Sequence, residues 1–163
     1  MKPLRPDIDR GIKMIDLEEY EDIAKEAFLS SLRETASDPL ALARHISMLS
    51  KASTQEAFDY YGAATLLNFK WDVSISHGNG QIYWRNPQEI VFLEAPNPIQ
   101  NFSHARELVD SKKYYWWVNT YASHAFKASL FSSENITSTP IEETKDSMIS
   151  PGAALCYVLL QRA

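Results

Sequence analysis

Lys70-Trp71-Asp72-Val73-Ser74-Ile75-Ser76-His77-Gly78-Asn79-Gly80-Gln81-Ile82-Tyr83-Trp84-Arg85 is where the chain changes its period. Trp71, Val73, Ile75 and His77 alternate with Lys70, Asp72, Ser74 and Ser76, the pattern of a half-buried strand. Gly78-Asn79-Gly80 is turn chemistry, so a hairpin returning through residues 81–85 is expected. The chain before this stretch reads as helix, and most of the chain after it reads as strand.

Upstream, Asp16 with Glu19 three residues later marks a helix start, and acids in a first turn also suit the macrodipole. At 100° per residue, Leu17, Tyr20, Ala24, Ala27, Phe28, Ser31 and Leu32 share one arc, which predicts an amphipathic helix with an acidic outer face. Ser37-Asp38-Pro39 is a second start, with Asp38 as N-cap and Pro39 at the first helical position, where its missing N–H costs nothing. A short helix from Leu40 to about Leu49 should follow. Ser53-Thr54-Gln55-Glu56 repeats the capping pattern ahead of a third helix, Ala57 to Phe69, that is apolar nearly all round and has Gly62 as a point of close packing.

Downstream, Asn86-Pro87 breaks the chain before Ile90-Val91-Phe92-Leu93, which reads as a short buried strand. Asn101 to Asp110 approximates a helical stripe through Phe102, Ala105, Leu108 and Val109. Residues 114–121 and 124–131 favour strand, as one bent strand or a pair. Residues 132–150 are polar and read as a surface loop, and the apolar run Ala153 to Leu160 reads as a central strand entered through Pro151-Gly152. The fold class expected is therefore α+β: an N-terminal layer of about three helices packed on a mainly antiparallel sheet built from the C-terminal half. One domain, residues 1–163, accommodates it, with residues 1–15 as an extended N-terminal segment.

The chain has 163 residues, 21 acids against 16 Lys and Arg, and a formal net charge of -5. No apolar run is long enough to span a bilayer. Excess negative charge disfavours nucleic acid and anionic lipid as main partners. The residues around Met1-Lys2-Pro3 lack a signal-peptide apolar region, and the lone Cys156 has no internal disulfide partner, so a reducing, cytoplasmic setting is expected. The charge is local. Asp16, Glu18, Glu19, Glu21, Asp22 and Glu26 stand against Lys25 alone, and the remaining 15 acids and 15 bases cancel. That face is either a solvated, dipole-matched surface or a docking surface that steers a basic protein.

Catalytic motifs are missing: no phosphate-binding Gly-rich loop, no HExxH, no CxxC and no GxSxG occurs. No two of His45, His77, His104 and His124 stand at metal-ligand spacing, so neither a metal nor a cofactor is expected. Cys156 lies in an apolar run that suits a core thiol. The two sequons, at Asn101 and Asn135, read as chance matches.

Of 19 aromatic residues, 13 fall between Phe69 and Phe131, including all four tryptophans. In Tyr114-Tyr115-Trp116-Trp117 large rings would occupy both faces of a strand, so the strand is covered on both sides or one face is a site. The leading expectation is a non-enzymatic protein-binding domain, a small acidic inhibitor or immunity-type partner, antitoxin-like, that neutralises a basic protein such as a nuclease toxin. Glu18, Glu19, Asp22 and Glu26 would steer the partner, and Trp116, Trp117 and Tyr115 would anchor it. Two alternatives accompany it. One is a small-molecule-binding or metal-free hydrolytic domain with an aromatic-lined pocket of Trp117, Tyr115 and Trp84, using His77, His124, Arg85 and Glu94. The other is a structural homo-oligomer subunit that buries its rings against a second copy.

Overall fold

The computed structural model describes residues 17–132 and 139–163, the side chains of residues 17–20 excepted. The Asp16 cap, the segment 1–15, the Asn135 sequon and the carboxylates of Glu18 and Glu19 lie outside the described residues. Three helices open the fold: α1 (Leu17–Ala36), α2 (Pro39–Ser47) and α3 (Gln55–Asn68). Asp38 caps α2 by accepting from the Ala41 N–H at 3.1 Å. At α3 the cap is Thr54, which accepts from the Ala57 N–H at 3.1 Å. Its neighbour Ser53 instead accepts from the Ser50 N–H, one turn back.

The alternating stretch forms β1 (Asp72–Ile75) and β2 (Ile82–Arg85), an antiparallel hairpin in which Val73 faces Trp84. A two-residue β3 (Val91–Phe92) adds to β2 and completes the first sheet, ordered β1-β2-β3. After α4 (Phe102–Ser111), a second antiparallel sheet is built from β4 (Tyr115–Ala122), β5 (Ala125–Phe131) and β6 (Glu142–Glu143). The architecture is α+β, with N-terminal helices followed by antiparallel sheet, and the sheet is divided in two by α4. Residues 114–131 form a hairpin, with a register shift between Thr120 and Ala122.

The segment Ala153–Leu160, expected as a central strand, is helix α5 (Pro151–Gln161). An unbroken apolar run has no period from which to choose between strand and helix. The decision comes from the residues before it: Ser150 caps the helix by accepting from the Ala153 N–H, and Pro151 occupies the first helical position. Asp38-Pro39 carries the same signature. The helix packs on α2, α4, β4 and β5, and Leu155, Cys156, Val158 and Leu160 are fully buried. Each leucine removed from water there contributes about 2 kcal/mol. At Gly152 a Cβ would collide with the carbonyl oxygens of Pro98 and Ile99, so glycine lets the chain at 98–99 lie directly on the first turn of α5.

Three further expectations change. In α1 the buried residues are Leu29, Leu32 and Ala36, while Ala24, Ala27 and Phe28 remain exposed. The stripe is rotated toward Leu29 and Ala36 because that is the side of α1 that packs on α2, α3 and β1, and the larger Ile23 and Phe28 stay exposed beside it. Ile90–Leu93 is an edge segment, not a buried strand; only Val91 and Phe92 pair, and all four side chains are exposed. Residues 139–150 are stitched to β5 and do not form a loop clear of the core. Thr144 is buried and its hydroxyl accepts from the Ala128 N–H at 3.0 Å, and Met148 exchanges backbone hydrogen bonds with Phe126.

Candidate functional site

Helix α3 is apolar on most sides, but Glu56, Asp59, Tyr60 and Ala63 recur at spacings of three and four and therefore share one face. Across from them, Phe28 and Leu32 sit one turn apart on α1. Tyr60 ties the two helices together: its hydroxyl is 2.5 Å from Ser31 Oγ and 3.0 Å from Thr35 Oγ1. Its ring meets Phe28 edge-on, with centroids 6.0 Å apart. Trp84 of β2 closes the floor, and the chain Glu94-Ala95-Pro96-Asn97 forms the facing wall. The result is a groove of about 770 Å³, within the volume range of small-ligand sites.

The wall is held by Asn97. Its amide donates to the Phe58 carbonyl, Asp59 Oδ1 and Gln100 Oε1, each at 3.2 Å, and its Oδ1 accepts from the Ile99 N–H at 3.0 Å. The amide lies so close to Gly62 that a Cβ there would overlap it. Asp59 is also fixed by the Gln55 side-chain amide at 2.9 Å. The groove is thus lined by three carboxylates, Glu56, Asp59 and Glu94, and three rings, Phe28, Tyr60 and Trp84, with no Lys, Arg or His among its lining residues. Among the described residues the ion pairs are Arg85–Glu89 and His104–Glu107, so none of the three acids has a cation of another described residue within 4 Å. Nor do they gather as a metal site: no group of three or more His, Cys, Asp or Glu is so placed among the described residues. Trp84 is only 6% exposed, and its indole N–H has no acceptor among the described residues.

The residues singled out from sequence are distributed over the molecule. His77 is exposed at the end of β1, and His124 is exposed in the turn between β4 and β5, in the other half of the β structure. Arg85 lies 3.6 Å from Glu89 and reaches over the Tyr83 ring. Of the four proposed catalytic side chains, Glu94 alone lines the groove. Asp22 and Glu26 are exposed on α1, but at 100° per residue they lie on the opposite flank of its buried stripe from Phe28. Lys25, between them, donates to the Gly80 carbonyl at 2.8 Å and clamps the helix onto the β1–β2 turn.

On β4 the two ring faces separate. Trp116 points inward, edge-on to Phe102 with centroids 5.3 Å apart, and packs against the core while remaining half-buried. Tyr115, Trp117 and Tyr121 point outward and are 41%, 48% and 62% exposed, so the strand is not covered on both sides. Lys127 already stands over the Tyr121 ring, and the Trp117 indole donates to Asn119 at 2.7 Å. Trp84 belongs to the other sheet and lines the groove, whose lining includes neither Trp117 nor Tyr115. Burial pushes the Cys156 thiol well above its ordinary range, which leaves it protonated and unreactive.

Comparison of the chain with family models, curated proteins and solved structures returns no match in any of the three. No helix among the described residues is long and apolar enough to cross a membrane. Sequence reasoning found Glu94 and Trp84 but missed Glu56, Asp59, Phe28 and Tyr60 as their companions. A signal existed: Glu56 and Asp59 are the acids of a helix otherwise nearly all apolar, and they stand one turn apart.

Proposed function

We propose that this chain is a non-enzymatic binding domain for a basic protein, an acidic partner of the inhibitor or immunity type working in the cytoplasm. One observation carries the proposal: a groove in which carboxylates and aromatic rings line the same walls and no lining residue supplies a cation. Anionic groups beside ring faces favour a cationic guest twice, through charge and through the ring quadrupole. Concentrated acidity at the α1 flank adds a longer-range field that raises the encounter rate with a basic surface. No cofactor is required for this role.

The test uses the intact chain and an arginine-rich peptide as a stand-in for the basic surface. Association should slow steeply as ionic strength rises from about 0.01 M to about 1 M, over which the screening length shrinks from about 30 Å to about 3 Å. A salt-independent rate, or no binding even at the low end, would remove the proposal.

A further inference from the structure

Resting on that reading, the groove also indicates what the basic partner presents. We infer that it receives an arginine side chain carried on an extended segment of the partner, with the guanidinium among Glu56, Asp59 and Glu94 and a main-chain carbonyl of the segment accepting from the Trp84 indole N–H.

The acids approach from two directions, Glu56 and Asp59 from α3 and Glu94 from the facing wall. A planar guanidinium has donors fanned around its edge and can serve carboxylates on both sides while its face lies against a ring. A lysine ammonium is compact and strongly hydrated and gains less from such a lining. A metal ion fits worse, since the acids do not converge on one point. Asp59 is already oriented by Gln55 and Asn97, which lowers the ordering cost of engaging it.

Trp84 provides the second, independent indication. It lines the groove, is only 6% exposed and has no acceptor for its indole N–H among the described residues, and an unpaired donor in such a place carries a desolvation penalty that a guest can relieve. The free guanidinium is a donor only and cannot do so, but the peptide backbone around an arginine supplies carbonyl acceptors. The guest is therefore an arginine within a chain, not a small cation. A groove of about 770 Å³ has room for the side chain and the adjoining backbone.

The experiment is a titration of the isotope-labelled chain, followed by NMR, with three short capped peptides that differ at one position: arginine, lysine or citrulline. Citrulline keeps the shape and loses the charge. The arginine peptide should shift Phe28, Ala63 and the Trp84 indole resonance, with the indole proton moving downfield as it gains an acceptor. Lysine should bind more weakly and citrulline not measurably. Glu56→Gln with Glu94→Gln, both at exposed positions that carry no core packing, should weaken the arginine peptide by about tenfold or more. Equal binding of arginine and citrulline, an unmoved Trp84 indole, or unchanged affinity in the double variant would overturn the assignment. If the shifts fall instead on the outer flank of α1 and remain salt-sensitive, the groove inference fails while the basic-partner proposal survives. If neither the arginine-rich peptide nor these peptides bind, both fail.

Discussion

The groove between α1 and α3 and the outer face of β4 both display aromatic rings, yet they differ in what accompanies the rings. In the groove, Phe28, Tyr60 and Trp84 stand with three carboxylates on concave walls whose positions are set by hydrogen bonds from Asn97, Gln55, Ser31 and Thr35. On β4, Tyr115, Trp117 and Tyr121 form an open strip where both signs of charge are present: Lys127 sits over Tyr121, Asp110 and Lys113 share a shallow concavity with Tyr115, and Glu143 lies in register beside Ser129, the partner of Trp117. Ring density alone therefore does not mark a site. The acids facing the rings, and the scaffold that orders both, give the groove a chemical preference that the β4 strip lacks.

Substitutions can sharpen this contrast, beginning with the frame that carries the groove wall. Gly152→Ala forces a methyl group against the Pro98 and Ile99 carbonyls, which are backbone and have little room to yield. It should cost about 3 kcal/mol, read as a lower denaturation midpoint in urea. On β4, Trp116→Ala should cost about 2 kcal/mol by removing a half-buried ring from Phe102. Trp117→Ala, one residue along, should stay within about 0.5 kcal/mol because its ring faces solvent. Equal losses at the two tryptophans would mean that the outer face is also packed.

Gly62→Ala acts inside the groove. The new methyl group meets the Asn97 amide, a side chain that can move more readily than backbone, so the stability loss should be smaller, about 1 kcal/mol. Its effect on binding should be the larger one, since displacing Asn97 removes one of the two donors that orient Asp59 and frees the wall at 94–97. Arginine-peptide affinity should fall about fivefold or more even where the fold is retained. Unchanged affinity would show that the wall's position does not matter to the guest.

The smallest effect concerns Cys156. Because burial raises the thiol above its ordinary value in the folded chain only, the unfolded chain loses the proton first as pH rises. Stability should be independent of this group below the ordinary thiol value near 9 and should decline above it. In Cys156→Ala that part of the decline should vanish. The thiol is fully buried in α5 and is not among the residues lining the groove, so arginine-peptide binding should not change with it.

Much of the fold was legible because local chemistry and tertiary packing agree there. Asp38-Pro39 starts α2, Gly78-Asn79-Gly80 turns the first hairpin, and the alternation from Trp71 to His77 places β1. The failures have specific causes. Ala153–Leu160 is apolar at every position because α5 is surrounded, and a surrounded helix erases the period that would identify it. In α1, apolar residues lie on more than one side, with Ile23 and Phe28 exposed and Leu29, Leu32 and Ala36 buried, so the helical period alone did not mark which arc the neighbouring elements cover. The site was half legible. Glu94 and Trp84 drew notice as separate residues, but their meeting with Glu56, Asp59 and Phe28 depends on how three elements far apart in sequence pack, and no spacing encodes that.

The most direct test of the central claim, that the groove and not a diffuse acidic surface selects the basic guest, compares two charge reversals in arginine-peptide binding across ionic strength. One is Glu56→Lys with Glu94→Lys in the groove, and the other is Asp22→Lys with Glu26→Lys on the far flank of α1. The groove pair should abolish binding at every salt concentration. The helix pair should slow association at low salt and leave the dissociation rate within about twofold, as expected for charges that steer without contact. Abolition by the helix pair with retention in the groove pair would contradict the account and place recognition on the acidic helix face.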